Sequence, residues 1–420
     1  MLQNAAVSAK LARVRYLSAT AFALLGAALI AIAYGLARFA FGLFVPPIRD
    51  DLGLSQGVMG IIGAQPFVSF VLASVAASWL AERLGARGAA VLSAAFALLG
   101  LTLISRADSA LTLGAGVFAC GLCTGTMMPA LSTGVQVAIR PALHGRVNAV
   151  MNAGTSAGVA LGVPAVLLLA GAWREAYAAF AVATGVAMVA AWRYLPAAAA
   201  ATVHTPATGV LRSALSGRMI VLCLFALAMG WVSSAYWVFA PDLVVQLGGM
   251  APHLTGLLWL TVGLVGLTAA FAADWGDRFG MARVQAAALL GMAVALLALV
   301  VAPDRLSLAL ASAALFGLVY MTLTGLYLVV GIRLSVDRPS LGAVLPFTAI
   351  AVGQALGSPM AGSLAGYAGY GAAFTTFAAV GVVAAACLRL FPVPPRPEPT
   401  VHHAGTVTQP AHGQPPEGSG

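Results

Sequence analysis

Residues 78–87 read SWLAERLGAR, a short charged stretch that separates two long apolar runs. An acid, an arginine and a glycine in the same spacing return 195 residues later, as do glycines and prolines of other segments. The matching positions are Glu82, Arg83 and Gly85 with Asp277, Arg278 and Gly280; Gly35 and Pro46 with Gly230 and Pro241; and Gly158, Gly162 and Pro164 with Gly353, Gly357 and Pro359. A constant offset of this size indicates two halves that follow one another in the same orientation.

The composition excludes an ordinary soluble protein. Hydrophobic residues make up 61% of the 420 positions and charged residues only 8%, whereas the charged share of soluble domains is about 25%. Apolar runs of about 20 residues recur along the chain, and each is long enough to cross a bilayer core as a helix. We therefore predict an all-α polytopic membrane protein with twelve transmembrane helices, spans 1 to 12, in two pseudo-symmetric six-helix bundles.

The apolar runs place the two bundles at residues 17–195 and 218–391, called here the first half and the second half. A basic cytoplasmic lead is expected at residues 1–16, and a more polar, interrupted stretch at 196–217 is expected to link the halves in the cytoplasm. Residues 392–420 carry Pro, Gly and His and few apolar side chains. Such a composition predicts a disordered cytoplasmic tail.

The positive charges mark membrane topology. Of the 21 Lys and Arg residues, 16 fall on connections that share a side with the N-terminus, four fall on the opposite connections, and Arg38 falls inside a predicted span. This asymmetry follows the positive-inside rule, so we expect a bacterial inner-membrane protein with both termini in the cytoplasm. It also accounts for the net charge of +9, and we expect no nucleic-acid partner.

The stretch at 78–87 resembles the loop signature that the major facilitator superfamily carries between spans 2 and 3, Gly-x-Leu-Ala-Asp-Arg-x-Gly-Arg/Lys-Arg/Lys. The matching residues are Leu80, Ala81, Arg83, Gly85 and Arg87, and the departures are Ser78, Glu82 and Ala86. In that family the loop is a conformational latch. The implied latch residues here are Glu82, Arg83, Gly85 and Arg87, with Asp277, Arg278 and Gly280 in the second half. The resemblance implies a twelve-helix bacterial transporter that works by alternating access.

Two further signatures of that family are missing or loose. The family often places an arginine linked to proton transfer early in span 4, where this chain has Val117 and Phe118. The antiporter signature of span 5 is matched only in part, because Val163 separates Gly162 from Pro164. The first departure argues against proton coupling, and the partial match keeps proton-driven efflux of drugs or small metabolites as an alternative function.

Arg38 is the one basic residue predicted inside a span, within the stretch YGLARFAFGLFVPP at 34–47. A charged side chain at the centre of a bilayer costs about 2.5–3.5 kcal/mol on insertion scales, so such a residue is a functional-site hypothesis. The alternative is structural: Arg38 could cap a neighbouring helix or extend to the outer interface near Pro46. Pro46 and Pro47, with Arg49, are expected to form the first outer loop. The repeat counterpart of Arg38 is Ser233, and a charge present in one half only favours the functional interpretation.

We predict that Arg38 lies in a central cavity together with polar and aromatic side chains from both halves. The candidate substrate-binding residues are Arg38, Tyr34, Gln65, Asn148, Asn152, Trp237, Tyr320, Tyr327 and Gln354. No Asp, Glu or His is predicted mid-span, and Asp242 is expected at an outer helix end. This placement of the acids disfavours a proton relay or a site for cationic drugs. A guanidinium offers a bidentate fork that suits a carboxylate. The sequence thus predicts a secondary active transporter of a small organic anion, with a co-transported proton left open.

Other classes of function find little support in the sequence. A membrane enzyme would need a cluster of nucleophile, base or metal ligands, and the chain shows none. Cys120-x-x-Cys123 lacks a second ligand pair, so these thiols are expected to be packing residues. We therefore expect a non-enzymatic monomer in the lipid bilayer with no cofactor and no metal. A non-transporting membrane sensor on the same fold is the alternative from another class.

Overall fold

The computed structural model describes residues 17–168, 172–197, 216–335 and 339–388, and these residues are almost entirely helical. The helices are α1 (Ala19–Leu52), α2 (Gln56–Ser105), α3 (Ala110–Ala138), α4 (His144–Leu161), α5 (Val163–Leu168), α6 (Trp173–Tyr194), α7 (Gly217–Gln246), α8 (Thr255–Gly266), α9 (Ala272–Phe279), α10 (Met281–Val301), α11 (Leu306–Leu334) and α12 (Pro339–Cys387). The predicted lead at 1–16, most of the linker at 196–217 and the tail at 392–420 lie outside the described residues.

Nine helical segments in the described part of the chain are long and apolar enough to cross a membrane. Two of the helices contain two predicted spans each, because α2 is broken at Gly85 and α12 at Gly369. Conversely, α4 and α5 together form span 5, and span 8 divides into α8, the short 3₁₀ turn Leu267–Phe271 and α9. The helices are thus consistent with twelve spans, and the all-α membrane fold is confirmed.

Serine side chains begin several of the long helices. Ser18, Ser55, Ser109 and Ser216 accept hydrogen bonds from the backbone N–H groups of Ala21, Val58, Thr112 and Met219, respectively. Each bond satisfies one of the donors that a helix start leaves without an intrahelical partner. These serines fix where the polar connections stop and the apolar helices start.

The prolines at the end of the first span do not end its helix. The sequence places Pro46 and Pro47 in a loop, but α1 continues through both to Leu52. Proline removes a backbone donor, yet helices in membranes tolerate this loss where neighbouring helices support them. Here α1 is supported by α7, because Gly42 lies directly against the backbone carbonyl of Trp237. Arg49 is therefore a helical residue and not a loop residue.

The repeated glycines turn the chain in the same way in both halves. Gly85 has φ 67° and Gly280 has φ 92°, a region that glycine enters without the steric cost paid by other residues. Gly85 connects the two arms of α2, and Gly280 connects α9 to α10. The matching sequence motifs at 82–85 and 277–280 thus correspond to matching backbone turns.

Small residues bring helices of each half into close contact. Gly35 on α1 and Gly158 on α4 face each other so closely that a Cβ on either would collide with backbone atoms. In the second half, Gly230 lies against the backbone of Ile350 in a similar way. Close approach at small residues is a common way for helices to associate in lipid. The spacing of small residues in span 5 predicts this packing correctly.

The halves meet in the middle of the bundle and at one of its ends. We call the end that holds Arg49 and Asp242 the Arg49 end and the opposite end, with both glycine turns, the Gly85 end. Toward the Arg49 end, Gly60 of α2 lies against the backbone of Ser358 in α12. At the Gly85 end the described polar contacts join residues of one half: Arg87 Nε donates to the Leu195 carbonyl at 2.8 Å, and Arg333 pairs with Asp277 at 3.1 Å.

Candidate functional site

The site is built on an irregular part of α1. Residues Ala31–Phe39 form a π-helical segment, at whose end the N–H of Ala40 bonds to the carbonyl of Gly35. Such segments are rare in helices and occur frequently at functional sites. The segment carries both Tyr34 and Arg38, and Arg38 is only 8% exposed. The stretch that the sequence singles out is therefore also the most irregular stretch of the first helix.

Arg38 contacts the second half of the chain directly. Its Nη2 donates a hydrogen bond to Oε1 of Gln354 on α12 at 3.3 Å. Gln354 is fully buried, and its Nε2 donates to the hydroxyl of Tyr320 at 3.3 Å and lies 3.5 Å from Oγ of Ser233. A chain of hydrogen bonds thus runs from α1 through α12 to α11.

Aromatic rings surround the guanidinium. Its Cζ lies 4.6 Å from the ring centroid of Phe67, 5.0 Å from Phe70, 5.4 Å from Phe39 and 5.9 Å from Tyr34. Rings at such distances attract a cation through their quadrupoles. Within the described residues Arg38 makes hydrogen bonds and ring contacts but no ion pair. The charge is therefore held by neutral groups alone.

Two tryptophans extend this aromatic group into the second half. Trp237 on α7 stacks on Phe39 with ring centroids 4.3 Å apart and meets Tyr320 edge-on at 5.1 Å. Trp259 on α8 donates its indole N–H to the carbonyl of Phe39 at 3.0 Å. Phe39 therefore lies between the halves and is contacted by α7 through its ring and by α8 through its backbone.

Two buried donors in this group have no hydrogen-bond partner in the described structure. They are Nε of Arg38, from the first half, and, from the second, Nε1 of Trp237, which interacts with the hydroxyl of Tyr320 without a hydrogen bond of ordinary geometry. Native proteins satisfy the great majority of buried polar groups, and each exception requires an explanation. Both donors therefore have bonding capacity that the described contacts do not use.

Five of the nine predicted binding residues come together around this point: Tyr34, Arg38, Trp237, Tyr320 and Gln354. Tyr34 also donates its hydroxyl proton to the carbonyl of Thr124 at 3.1 Å, which holds the ring against α3. Tyr320, Thr324 and Tyr327 are spaced to share one face of α11, but only Tyr320 joins this group, and Tyr327 accepts a hydrogen bond from Gln285 at 3.1 Å.

Three other predicted residues have no described contact with Arg38. Gln65 and Asn148 are partly exposed and Asn152 is exposed. Oδ1 of Asn148 is itself buried without a hydrogen-bond partner in the described structure. None of the three is hydrogen-bonded to the Arg38 group in the described part of the chain.

Several residues of the group were not predicted from the sequence: Phe39, Phe67, Phe70, Ser233 and Trp259. Phe67 and Phe70 are three positions apart, so they share a face of α2. In a chain with so many apolar residues this spacing carries little signal. Ser233 does carry one, since it occupies the repeat position of Arg38.

A second buried polar cluster joins the halves closer to the Arg49 end. Asp242 on α7 is fully buried, lies 3.2 Å from Nε of Arg49 on α1, and accepts a hydrogen bond from the hydroxyl of Tyr370 on α12. Arg49 also pairs with the exposed Asp50 at 3.1 Å. The sequence places Asp242 at an outer helix end, whereas the structure buries its side chain between the halves.

The predicted latch residues lie at the Gly85 end. Arg87 bonds to the carbonyl of Leu195 at 2.8 Å, and Asp277 pairs with Arg333 of α11 at 3.1 Å. The guanidinium of Arg83 lies 4.9 Å from the ring centroid of Trp79, and that of Arg278 lies 5.3 Å from Phe279. Each of these contacts stays within one half.

Comparisons with known proteins agree with this architecture. The sequence model of the Major Facilitator Superfamily matches residues 27–345. The comparison with curated proteins gives no match.

Solved structures of similar fold include three transporters. A mutant of the nucleoside transporter NupG has a TM-score of 0.76 at 11% identity, covering 88% of this chain and 99% of its own. A D-xylose-proton symporter has a TM-score of 0.73 at 16% identity, covering 90% of this chain and 99% of its own. A POT family transporter in complex with 5-aminolevulinic acid has a TM-score of 0.72 at 11% identity, covering 89% of this chain and 96% of its own. At these identities the likeness shows the fold alone.

Proposed function

The chain belongs to the major facilitator superfamily of multi-pass membrane transporters, and from this premise we propose that it is a secondary transporter of a small organic anion bound at Arg38. The observation that carries the proposal is the burial of one cation between the two halves with only neutral partners. A buried charge is costly unless it is paired. A substrate carboxylate would supply the missing countercharge during each transport cycle.

The geometry supports binding at the point where the halves meet. Substrates of transporters with this repeat organisation bind near the bilayer midplane between the repeats, and rocking of one half against the other exposes the site alternately. Arg38 belongs to the first half and its partner Gln354 to the second. A ligand at this position would contact both halves. Among the structural neighbours, the POT family transporter is in complex with an acid, 5-aminolevulinic acid.

The charge distribution supports a specific orientation in a bacterial inner membrane. Most of the basic residues in the described part of the chain fall at the helix ends and connections of the Gly85 end, so we propose that this end faces the cytoplasm, with both termini, and that the Arg49 end faces outward. Residues Glu82, Arg83, Gly85 and Arg87 and their counterparts Asp277, Arg278 and Gly280 would then act as the cytoplasmic latch.

The test is a ligand screen that follows thermal unfolding of purified protein with small carboxylates, sugars and cationic drugs. A ligand at 100 times its dissociation constant stabilises the folded state by about 2.7 kcal/mol. We expect a carboxylate to stabilise the wild type and not Arg38→Gln. Arg305→Gln is the matched control, because Arg305 is exposed at the start of α11 and loses the same charge. Flux of that carboxylate into proteoliposomes should follow the same order.

The alternative is proton-driven efflux of drugs or small metabolites, which the partial antiporter signature at Gly158, Gly162 and Pro164 keeps in view. Stabilisation by cationic or neutral drugs that is equal in wild type and Arg38→Gln would favour it and make Arg38 structural. A ligand that stabilises the protein yet is not transported in proteoliposomes would favour a membrane sensor.

A further inference from the structure

We infer that the anion is a monocarboxylate with an apolar, preferably aromatic, body, held between Arg38 of the first half and the indole N–H of Trp237 of the second. This inference rests on the proposed function and names the substrate class of the same site. It follows from the unpartnered donors, from the charges near the site and from the chemistry of its walls.

The donors fix where the carboxylate lies. Nε of Arg38 and Nε1 of Trp237 are both buried without hydrogen-bond partners in the described structure. Phe39 connects them, since its ring lies 5.4 Å from the guanidinium and 4.3 Å from the indole. A carboxylate has two oxygens and accepts several hydrogen bonds at once. We therefore place the carboxylate beside Phe39, with one oxygen toward the donor of each half.

The charges limit the ligand to one carboxylate. Arg38 supplies a single positive charge, and the nearest polar partners that the structure gives it, Gln354 and through it Tyr320 and Ser233, are neutral. The other buried charges between the halves, Asp242 and Arg49, already pair with each other. A second carboxylate on the ligand would enter the interior without a countercharge, which is strongly unfavourable.

The walls favour an apolar body. The rings of Phe67 and Phe70 lie 4.6 Å and 5.0 Å from the guanidinium on the side of the first half. On the side of the second half, Trp237 meets Phe316 edge-on at 5.3 Å and Tyr320 at 5.1 Å. Aromatic rings bind flat or edge-on to other rings and offer few hydrogen bonds to hydroxyl-rich molecules. The nearby polar groups of Gln354, Tyr320 and Ser233 already bond to one another or to Arg38, so the hydroxyl groups of sugar acids and hydroxy acids would have to displace those bonds.

The first experiment uses the wild-type protein and a ligand series that varies charge and body separately. Thermal unfolding is followed with benzoate, phenylacetate, acetate, lactate, succinate, phthalate and the neutral benzamide. We expect the dissociation constants of benzoate and phenylacetate to be at least about tenfold lower than those of the other ligands. A change of about this size follows from the gain or loss of one charge-assisted hydrogen bond. Tighter binding of succinate, phthalate or lactate would overturn the inference.

The second experiment tests the indole donor. Trp237→Phe keeps an aromatic ring in the stack with Phe39 but removes the N–H, and benzoate binding should weaken by about tenfold. Trp231→Phe is the matched control, because Trp231 lies on the same helix and packs on Phe377, 6.0 Å away. Equal benzoate binding by the two variants would overturn the role of Trp237, and the wild-type ligand series stands even where a variant does not fold.

The two proposals fail in different ways. If no carboxylate stabilises the wild type in an Arg38-dependent manner, the proposed function fails and the substrate class fails with it. If dicarboxylates or hydroxy acids bind in an Arg38-dependent manner and aromatic monocarboxylates do not, the anion transporter stands and only the substrate class is wrong.

Discussion

At the scale of single residues, the central feature is Arg38, a buried cation whose described partners are all neutral. Arg38 bonds to Gln354 at 3.3 Å and lies among the rings of Tyr34, Phe39, Phe67 and Phe70. Cation–π contacts contribute about 0.5–2 kcal/mol each, depending on solvation. They hold the guanidinium in place without neutralising it, so the attraction for an incoming anion is kept.

Gln354→Glu should turn this neutral partner into a built-in anion. The new carboxylate would pair with Arg38 across the halves, so the ligand-free protein should become more stable by about 1.5–3 kcal/mol, as expected of a hydrogen bond to a charged group. The same variant should lose carboxylate binding, because the guanidinium is already neutralised. Thermal unfolding with and without benzoate measures both effects.

The control for this prediction is Gln285→Glu. Gln285 is also buried, at 2% exposure, but its described partner is the hydroxyl of Tyr327 at 3.1 Å and not a cation. A carboxylate there has no countercharge among its described contacts, so stability should fall. If both glutamates lower stability equally, Arg38 does not attract an anion at Gln354.

Residue identity alone predicts part of this site. An arginine within an apolar run is visible in the sequence, and so is its replacement by Ser233 in the second half. The partners of Arg38 on α2 are not, because Phe67 and Phe70 stand among many apolar side chains of similar size. The predicted position of Asp242 is wrong for a related reason. A carboxylate near the end of an apolar run is expected at the membrane interface, and only pairing with Arg49 and Tyr370 allows this one to be fully buried.

At the scale of helices, apolar length predicts the elements well and their irregularities poorly. Length and hydropathy identify the long helices, and serine caps mark several starts. The π-helical segment Ala31–Phe39 has no sequence signature of its own. The continuation of α1 through Pro46 and Pro47 depends on its packing against α7, which a local pattern does not contain.

Gly158→Ala tests the helix contact that the small residues create. The added methyl group would collide with the backbone of Ala31, and backbone atoms cannot move aside as a flexible side chain can. We expect a loss of about 1–3 kcal/mol in the stability of the folded protein, the usual cost of overpacking. Thermal unfolding in detergent measures this loss.

Gly145→Ala is the matched control on the same helix. No heavy atom lies within 4 Å of a Cβ at Gly145, and alanine favours a helix over glycine by about 1 kcal/mol. The two substitutions should therefore change stability in opposite directions. A gain in both would show that α1 and α4 are not in contact at Gly158.

At the scale of the whole molecule, the described polar contacts between the halves lie at the middle and toward the Arg49 end. The deeper of them is Arg38 with Gln354, and the outer is Arg49 with Asp242. Glycines also allow backbones to touch across the halves, as at Gly42 and Gly60. This distribution corresponds to a transporter closed at the Arg49 end.

Asp242→Asn should loosen that closure. Removing one partner of a buried ion pair costs about 3–5 kcal/mol, and the cost is smaller here because Arg49 keeps its contact with Asp50. Separation of the halves at this end would relieve this cost. Spin labels on cysteines at the exposed positions Asp108 and Asp304, in a background without the native cysteines, report the separation. We expect a population with a longer distance between the labels.

Asp50→Asn serves as the control, since Asp50 also contacts Arg49 but is 61% exposed. Exposed ion pairs contribute at most about 1 kcal/mol, so the distance distribution should match that of the wild type. An unchanged distribution in both variants would mean that the ion pair of Asp242 does not hold the Arg49 end closed.

The glycine turns at Gly85 and Gly280 show what the two halves share and what they do not. The backbone has a positive φ at both positions, whereas Arg38 of α1 corresponds in the repeat to Ser233 of α7. The two halves thus share a backbone turn at equivalent positions but differ in the charge that they carry at the Arg38 position. In the proposed transport cycle, a carboxylate substrate would meet the positive charge of the first half on one side and uncharged side chains of the second half on the other, so its orientation would be set before either half moves.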